Sequence, residues 1–340
     1  QREAYQALRD QVRAFRAERA TAVVLNPRTG DVLALANYPS FDPTRAGVRT
    51  VDQNAAVGVQ LDPGSVFKPI TLAIALQEAK VDPKTIGVCN GVGEFGGIPL
   101  KCDLHNGRRA HGPVDAYGAM AKSCNIMAAR WATSVGRDRY LEYLEKLGLL
   151  RPQGSGIPGE VGGYVYRNDP APLIQVSRWG MGQAITVTPL GLATALCPIA
   201  NGGQIVRPRL VLEKEGASVP ARVGERVFTA EAAAETRKAM QAVMEAPGGT
   251  GTKIKLAGYE LAGKTGTAQR YNVEGGGYGD GNNSNFVGMV PADDPEAVIV
   301  VMVEKAKVQQ YGGLVAGPAF QRIAEAVVKR YRIPPTRPVP

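Results

Sequence analysis

The sequence has no run of about eighteen apolar residues, so it predicts no transmembrane helix within its 340 residues. It also lacks a signal peptide, because it opens directly on the charged, helix-compatible residues 1–5. This abrupt beginning indicates a fragment whose upstream part has been removed. The net charge of +9 favours anionic partners such as a membrane surface or a pyrophosphate. No Lys/Arg cluster is interleaved with aromatic residues, so no nucleic acid is expected as a partner.

Histidine and cysteine are scarce. The two histidines, His105 and His111, lie in one segment, which argues against a Ser-His-Asp triad. Cys89 and Cys102 flank a Gly-rich stretch and could form a disulfide in an oxidising compartment, or remain thiols. With the two histidines they could also form a Cys-x12-Cys-x2-His-x5-His zinc site. Because the close cysteine pair of common zinc fingers is missing, this reading is disfavoured, and no metal or cofactor is predicted. The other two cysteines are Cys124 and Cys197.

A serine three residues before a lysine is the first motif with chemical meaning. Ser65 follows a Pro-Gly break and heads an apolar run, 70–76, that has helical spacing. Positions i and i+3 share one helix face, so the Ser65 hydroxyl and the Lys68 ammonium can meet. A serine needs a base to become a nucleophile, and a desolvated lysine can be that base. By itself the pair also fits a capped helix with a solvated lysine.

Two later motifs change this balance. Ser123-Cys124-Asn125 lies in the middle of the chain, and Lys264-Thr265-Gly266-Thr267 lies near its end. Each alone would be read as ordinary turn or strand residues. The three motifs in this order, Ser-x-x-Lys, Ser-x-Asn and Lys-Thr-Gly, are typical of penicillin-binding proteins and class A β-lactamases.

The apolar periodicity predicts a sheet built from both ends of the chain around a helical middle. Helices are predicted at 3–19, 114–121, 126–147 with a break at Gly136, 186–199, 229–244 and 315–331. Strands are predicted at 22–26, 31–36, 205–212, 259–268, 286–290 and 297–303. The Gly-rich stretches 83–113, 151–169 and 275–281 are predicted to be loops.

Beyond the three motifs, the chain resembles the transpeptidase domain of a class B penicillin-binding protein from about residue 3 to about residue 335. The flanking matches are Tyr-Pro-Ser-Phe-Asp-Pro at 38–43, the Gly-Gln, Thr-Pro-Leu and Asn-Gly-Gly elements of 180–203, Phe-Val-Gly at 286–288 and the segment 312–320. Division- and sporulation-type members are resembled slightly more than elongation-type ones.

The resemblance implies an α/β fold of the α+β type, the penicillin-binding/serine β-lactamase-like fold. A central, mainly antiparallel five-stranded sheet from about 20–37 and 258–331 would be flanked by helices, with an all-helical subdomain at about 60–245. One transpeptidase domain would thus occupy residues 1–340. In such proteins a single-pass membrane helix and a pedestal domain precede this domain, and neither is present in this sequence.

The resemblance also implies a function. The protein would cross-link peptidoglycan stem peptides that end in D-Ala-D-Ala, with a second stem peptide as amine acceptor, and would be acylated by β-lactam antibiotics. It would work on the extracytoplasmic (periplasmic) face of the cytoplasmic membrane, beside a membrane glycosyltransferase and divisome or elongasome proteins.

Roles in acylation follow from the same resemblance. Ser65 would attack the penultimate carbonyl while Lys68 takes its proton, which requires a base whose pKa is lowered by burial or by a neighbouring cation such as Lys264. Ser123 would relay a proton to the leaving amine. Asn125 would hold Lys68 or the substrate amide.

Substrate recognition would use the third motif. The backbone N–H groups of Ser65 and Thr267 would form the oxyanion hole. Lys264, Thr265 and Thr267 would bind the terminal carboxylate. Gly266 would leave room for the substrate to lie against the strand edge.

Three other functions fit part of the pattern. A class A β-lactamase needs a deacylating glutamate, and the loop candidate Glu160 lacks the asparagine that would follow four residues later in that family. Class D enzymes carry an apolar residue at the position of Asn125. A penicillin-binding sensor would be acylated without turnover. A basic scaffold with a vestigial site would not retain Ser65, Lys68 and Lys264.

Overall fold

The computed structural model describes residues 1–41, 44, 53–102, 110–167, 172–272 and 277–338. The described α-helices are α1 (Arg2–Phe15), α2 (Ala55–Gly58), α3 (Lys68–Gln77), α4 (Ala116–Ala121), α5 (Asn125–Val135), α6 (Arg137–Lys146), α7 (Pro172–Gly180), α8 (Pro189–Ala200), α9 (Ala230–Glu245), α10 (Gly312–Val315) and α11 (Gly317–Tyr331). A 3-10 turn, Gly64–Phe67, precedes α3.

The described strands are β1 (Arg19–Leu25), β2 (Val32–Tyr38), β3 (Gly87–Cys89), β4 (Val92–Phe95), β5 (Ile98–Lys101), β6 (Gly112–Val114), β7 (Tyr164–Val165), β8 (Ile185–Thr186), β9 (Gln204–Arg207), β10 (Glu213–Lys214), β11 (Ala217–Ser218), β12 (Arg222–Arg226), β13 (Ala262–Asn272), β14 (Gly277–Val290) and β15 (Ala297–Glu304).

Both ends of the chain contribute to one antiparallel sheet of five strands, in the order β13-β14-β15-β1-β2. Every residue of β15 is buried, so helices cover this strand on both faces. The terminal helices α1 and α11 pack together, and α8 packs against β1 and β15. The predicted mixed fold with a five-stranded antiparallel sheet is confirmed. Its edge strand β13 carries the Lys-Thr-Gly motif.

The helical middle of the chain contains the predicted break at Gly136. The helix pair α5 and α6 breaks at Gly136, whose φ of 87° lies in the left-handed region that favours glycine. Thr188 and Thr229 cap α8 and α9, since their hydroxyls accept from the N–H groups of Gly191 and Ala232 at 3.0 and 3.1 Å. The predicted subdomain at about 60–245 is not all-helical, because its described residues also form five small two-stranded sheets. Across the described ranges, no helix is both long and apolar enough to cross a membrane.

Several predicted element boundaries are wrong. The helix predicted at 3–19 ends at Phe15, because Arg16 turns left-handed (φ 50°) and Arg19 already pairs with Glu304 across β1 and β15. The loop predicted at 275–281 is strand β14 from Gly277 onward. Glycine has a low strand propensity, but hydrogen bonds to β13 hold this segment in the sheet. Residues 275–276 lie outside the described part of the chain.

Other differences arise in segments without clear periodicity. The stretch 83–113, predicted to be irregular, contains β3, β4, β5 and the start of β6; β3 pairs with β6, and β4 pairs with β5. Residues 103–109, which include His105, lie outside the described ranges, as do Asp42 and Pro43. Helix α7 was not predicted; nine residues long, it is stabilised by packing against α5. The closing helix is divided into α10 and α11 at Ala316.

Candidate active site

The Ser-x-x-Lys motif lies across two elements. Ser65 sits in the 3-10 turn and Lys68 is the first residue of α3. Because a 3-10 helix has about three residues per turn, positions i and i+3 are eclipsed, and Ser65 and Lys68 lie on one face of the turn. Ser65 lines a cleft of about 610 Å³, whereas Lys68 is buried at 1% exposure.

Two residues distant in sequence, Asn285 and Gly182, hold this turn in place. Asn285 on β14 donates its side-chain amide to the carbonyl of Pro63 at 3.1 Å. Gly64, at a left-handed φ of 58°, donates its N–H to the carbonyl of Gly182 at 3.0 Å. The position of Ser65 therefore depends on residues distant in sequence.

The Ser-x-Asn motif reaches Lys68 from the turn between α4 and α5. The Lys68 ammonium donates to the carbonyl oxygen of Ser123 at 2.6 Å, to its hydroxyl at 3.2 Å, and to Oδ1 of Asn125 at 2.6 Å. Ser123 has a left-handed φ of 57°, a conformation that non-glycine residues adopt rarely. The turn thereby presents both its carbonyl and its side chain to one lysine.

The third motif brings a second lysine to the same hydroxyl. Lys264, fully buried on β13, donates to the Ser123 hydroxyl at 2.9 Å and to the carbonyl of Thr265 at 2.9 Å. A hydroxyl has two acceptor lone pairs, so Ser123 can accept from both lysines and still donate its own proton. Burial, and then the charge of Lys68, hold the pKa of Lys264 well below its usual range.

This lowered pKa predicts a pH-dependent stability. The unfolded chain binds more protons at Lys264 than the folded one, so stability rises with pH from the folded pKa up to the ordinary value of about 10.4. The free energy of unfolding of wild type minus that of Lys264→Met is therefore expected to increase from pH 7 to pH 9 in urea titrations. The exposed Lys253, replaced by Met, is the control and should leave the slope unchanged. A Lys264→Met slope equal to wild type would contradict the assignment.

The cleft brings the predicted site residues together. Ser65, Ser123 and Asn125 line it on one side, and Thr265, Gly266 and Thr267 line it on the other; the two lysines lie beneath. Thr250, Gln183 and the segment 309–311 also line the cleft. The sequence indicated Gln183 only as part of the Gly-Gln match, and it missed Thr250 and the segment 309–311 because neither belongs to a recognisable motif.

The missed residues hold the threonines of β13. The Thr265 hydroxyl donates to the Thr250 hydroxyl at 2.8 Å. The Thr267 hydroxyl donates to the carbonyl of Gln310 at 3.3 Å and accepts from the N–H of Gly312 at 3.3 Å. The segment before α10 therefore closes one end of the cleft over the strand edge.

Gly266 has a packing role that the sequence did not indicate. A Cβ there would lie 2.8 Å from Cγ1 of Val66 and 3.2 Å from the carbonyl oxygen of Pro63. The missing side chain therefore lets the 3-10 turn approach β13. The predicted role, room for substrate at the strand edge, stays a prediction.

Gly182 provides a test of the support under Ser65. Its φ is 76°, and a Cβ would lie 2.1 Å from the carbonyl oxygen of Gly64. Gly182→Ala should cost about 1–2 kcal/mol for the left-handed backbone and a further 1–3 kcal/mol, roughly, for overpacking. Gly97→Ala is the matched control, because its φ is 78° and nothing lies within 4 Å of the added Cβ. Equal losses in denaturant unfolding would show that the contact with Gly64 is not rigid.

Glu160, the candidate deacylating residue, is engaged by its own loop. Its carboxylate accepts from the backbone N–H of Gln153 at 2.7 Å and from the N–H and hydroxyl of Ser155 at 2.9 and 3.0 Å. It is not among the residues that line the cleft. This placement disfavours the class A β-lactamase alternative.

The cysteines are all free thiols. The Cys89–Cys102 disulfide that the sequence left open is therefore not formed. Instead Cys89, Cys102 and Cys124 lie together with His111, while Cys197 is buried elsewhere in α8.

The chain belongs to the penicillin-binding protein transpeptidase family, whose model for the penicillin binding protein transpeptidase domain matches residues 20–325. The predicted family resemblance is confirmed. Two features agree with this assignment: the five-stranded sheet built from both ends of the chain, and the cleft lined by residues of the three motifs.

Particular relatives agree with this assignment. The chain is 32% identical to "Probable peptidoglycan D,D-transpeptidase PenA" of Neisseria gonorrhoeae, over 99% of this chain and 56% of the relative. It is 31% identical to "Stage V sporulation protein D" of Bacillus subtilis, over 89% of this chain and 48% of the relative. The chain spans about half the length of these curated relatives. The structure of penicillin binding protein 3 from Mycobacterium tuberculosis complexed with aztreonam is similar, with a TM-score of 0.87, 30% identity and coverage of 99% of this chain and 78% of that one.

Proposed function

We propose that this chain is a serine D,D-transpeptidase domain that cross-links peptidoglycan stem peptides through an acyl-enzyme on Ser65. The observation that carries the proposal is the pair of buried lysines, Lys68 and Lys264, that converge on the Ser123 hydroxyl beneath the cleft lined by Ser65. The family match and the transpeptidase names of relatives support the reaction class.

Acylation begins at Ser65. The Ser65 oxygen attacks the carbonyl carbon of the penultimate D-Ala while Lys68, in its neutral form, takes the hydroxyl proton. The C–N bond to the terminal D-Ala then breaks. Ser123 passes its proton to the leaving amine and takes one from Lys68, so that D-Ala departs with a neutral amine and Lys68 is neutral again.

Recognition uses the edge of β13. In this proposal Lys264, Thr265 and Thr267 bind the terminal carboxylate; the two threonines line the cleft, and Lys264 is buried on the same strand. The backbone N–H groups of Ser65 and Thr267 stabilise the oxyanion. The loss of one such donor typically costs about 10²–10³ in rate.

Deacylation transfers the acyl group to an amine of a second stem peptide. That amine loses a proton as it attacks the ester, the C–O bond to Ser65 breaks, and Ser65 regains its proton. Glu160 is tied to its own loop and does not serve this step, so water is not activated as in class A β-lactamases. A β-lactam acylates the same serine by opening its ring, and the aztreonam complex of a similar structure supports this.

The cellular setting is part of the proposal. The domain works at the extracytoplasmic (periplasmic) face of the cytoplasmic membrane, behind a single-pass anchor, with a glycosyltransferase and divisome or elongasome proteins as partners.

Intact-mass spectrometry with benzylpenicillin tests the chemistry. A single adduct that persists for hours is expected. A fleeting adduct with drug consumed would make the protein a hydrolase, and no adduct would overturn acylation. A donor ending in D-Ala-D-Ala with an added amine then distinguishes a transpeptidase, which forms the transfer product, from a sensor, which does not.

A further inference from the structure

A second cluster of reactive side chains lies directly behind the Ser-x-Asn turn. Cys89, Cys102, Cys124 and His111 place their sulfur and ring-nitrogen atoms within 4.8 Å of one another. The three cysteines are at most 1% exposed. In the part of the chain that the structure describes, no other group of three or more His, Cys, Asp or Glu side chains converges in this way.

The ligand atoms have the spacing of a tetrahedral metal site. Zn²⁺ bound at about 2.3 Å from sulfur and about 2.0–2.1 Å from nitrogen would set neighbouring ligand atoms about 3.5–3.8 Å apart. The Cys102 and Cys124 sulfurs are 3.5 Å apart, and Nδ1 of His111 lies 3.3 Å from Cys102 and 3.7 Å from Cys89. Three thiolates with one imidazole are a donor set typical of structural zinc sites.

The surrounding backbone favours ligation by thiolate. Cys124 is the N-cap of α5, and the N–H of Asn125 donates to the Cys102 sulfur at 3.3 Å. Such N–H···S bonds, together with the positive end of a helix, stabilise negative charge on sulfur. The positive end of α5 therefore favours anionic sulfur at the point where the four ligand atoms converge.

The segment that supplies three ligands has little core of its own. Cys89 ends β3, Cys102 follows β5 and His111 precedes β6, so the small sheets of residues 87–114 meet at this point. Small units of this kind are commonly stabilised by a disulfide or a metal, and the cysteines form no disulfide. The fourth ligand, Cys124, joins the segment to the active-site turn.

We propose that Cys89, Cys102, His111 and Cys124 form a structural Zn²⁺ site that fixes the Ser-x-Asn turn. All four positions are filled by protein, so the ion has no open position for catalysis. Binding releases one proton from each of three thiols to solvent and leaves one net negative charge on the site. The site replaces the Cys89, Cys102, His105 and His111 set that the sequence had suggested and disfavoured.

The consequence lies at Ser123 and Asn125, the two residues that flank Cys124. Ser123 holds a left-handed backbone conformation, and both residues contact Lys68. A metal bound to Cys124 would restrain this turn. A misplacement of about 1 Å in such a group can cost about 10²-fold in rate.

Metal content is the first test, and it does not depend on the proposed function. The full chain, purified under reducing conditions without chelator and then incubated anaerobically with Zn²⁺, is expected to retain one equivalent after gel filtration. Co²⁺ in its place should give the absorption of a tetrahedral thiolate site. Cys102→Ser and His111→Gln should lose the metal, whereas Cys197→Ser, a buried cysteine outside the cluster, should keep it.

Contrary results would be clear. Wild type that retains no metal with its thiols reduced would overturn the site, as would equal metal in Cys102→Ser and Cys197→Ser. A mass lower by about two hydrogens, with no metal, would show a disulfide instead, which peptide mapping would assign to two of the three clustered cysteines. Since wild type is titrated directly, a variant that fails to fold does not decide the test.

The link to the active site rests on the proposed function and has its own readout. Chelation of the metal should slow acylation by benzylpenicillin about 10–100-fold, and Zn²⁺ should restore the rate. If wild type binds zinc but is never acylated, the proposed function fails and the metal site stands. If chelation removes the metal without changing the acylation rate, the site does not restrain the turn.

Discussion

Ser65→Ala is expected to abolish the benzylpenicillin adduct while leaving the fold intact. The substitution removes the proposed nucleophile and keeps the backbone N–H that would form part of the oxyanion hole. Ser65 lies at the cleft wall, and its hydroxyl is not among the contacts that hold the 3-10 turn; those come from Asn285 and Gly182. The free energy of unfolding should therefore change by no more than about 0.5 kcal/mol.

The measurement is intact-mass spectrometry followed by peptide mapping, with circular dichroism and urea unfolding on the same samples. Ser134→Ala is the matched control, because this serine is exposed on α5 and its hydroxyl donates to the nearby carbonyl of Trp131 at 2.8 Å. It should label like wild type. A Ser65→Ala protein that still forms the adduct would place the nucleophile on another residue.

Lys68→Ala is expected to slow acylation by about 10²–10⁴-fold, the usual contribution of a general base. Its ammonium is buried and bonded to Ser123 and Asn125, and α3 contains no second lysine. The effect on stability should be small, because the loss of these hydrogen bonds is offset when a buried charge and its repulsion with Lys264 are removed.

Stopped-flow acylation kinetics with benzylpenicillin measure the rate, and Lys122→Ala is the control. Lys122 lines the same cleft but is exposed on the solvent side, so its loss should change the rate little. A small primary amine added to Lys68→Ala should partly restore acylation, since it can occupy the vacated space and accept the proton. A near-normal rate in the variant would remove Lys68 as the base.

The agreement between sequence and structure is best where a short pattern acts locally. Helix α9 and the break at Gly136 lie within one residue of their predicted positions, and Thr188 and Thr229 cap α8 and α9. Each depends on hydrogen bonds or backbone angles within a few residues, which are written in the sequence itself.

The errors arise where distant residues overrule local preference. Gly277–Gly281 reads as a loop, but pairing with β13 makes it a strand. Residues 87–101 read as irregular, but they form short paired strands. The end of α1 also differs from the apolar periodicity, because the chain turns at Arg16 and Arg19 pairs with Glu304 in the sheet.

The sequence by itself determined the three motifs, their order and the family they indicate, because residue identity and short spacing carry that information. Only the tertiary structure decided that Lys68 and Lys264 meet on one Ser123 hydroxyl. It also decided that His111 and three cysteines converge behind that turn, and that Glu160 is held away from the cleft. These contacts join segments far apart in sequence, and packing of the sheet and helices, not local propensity, sets their distances.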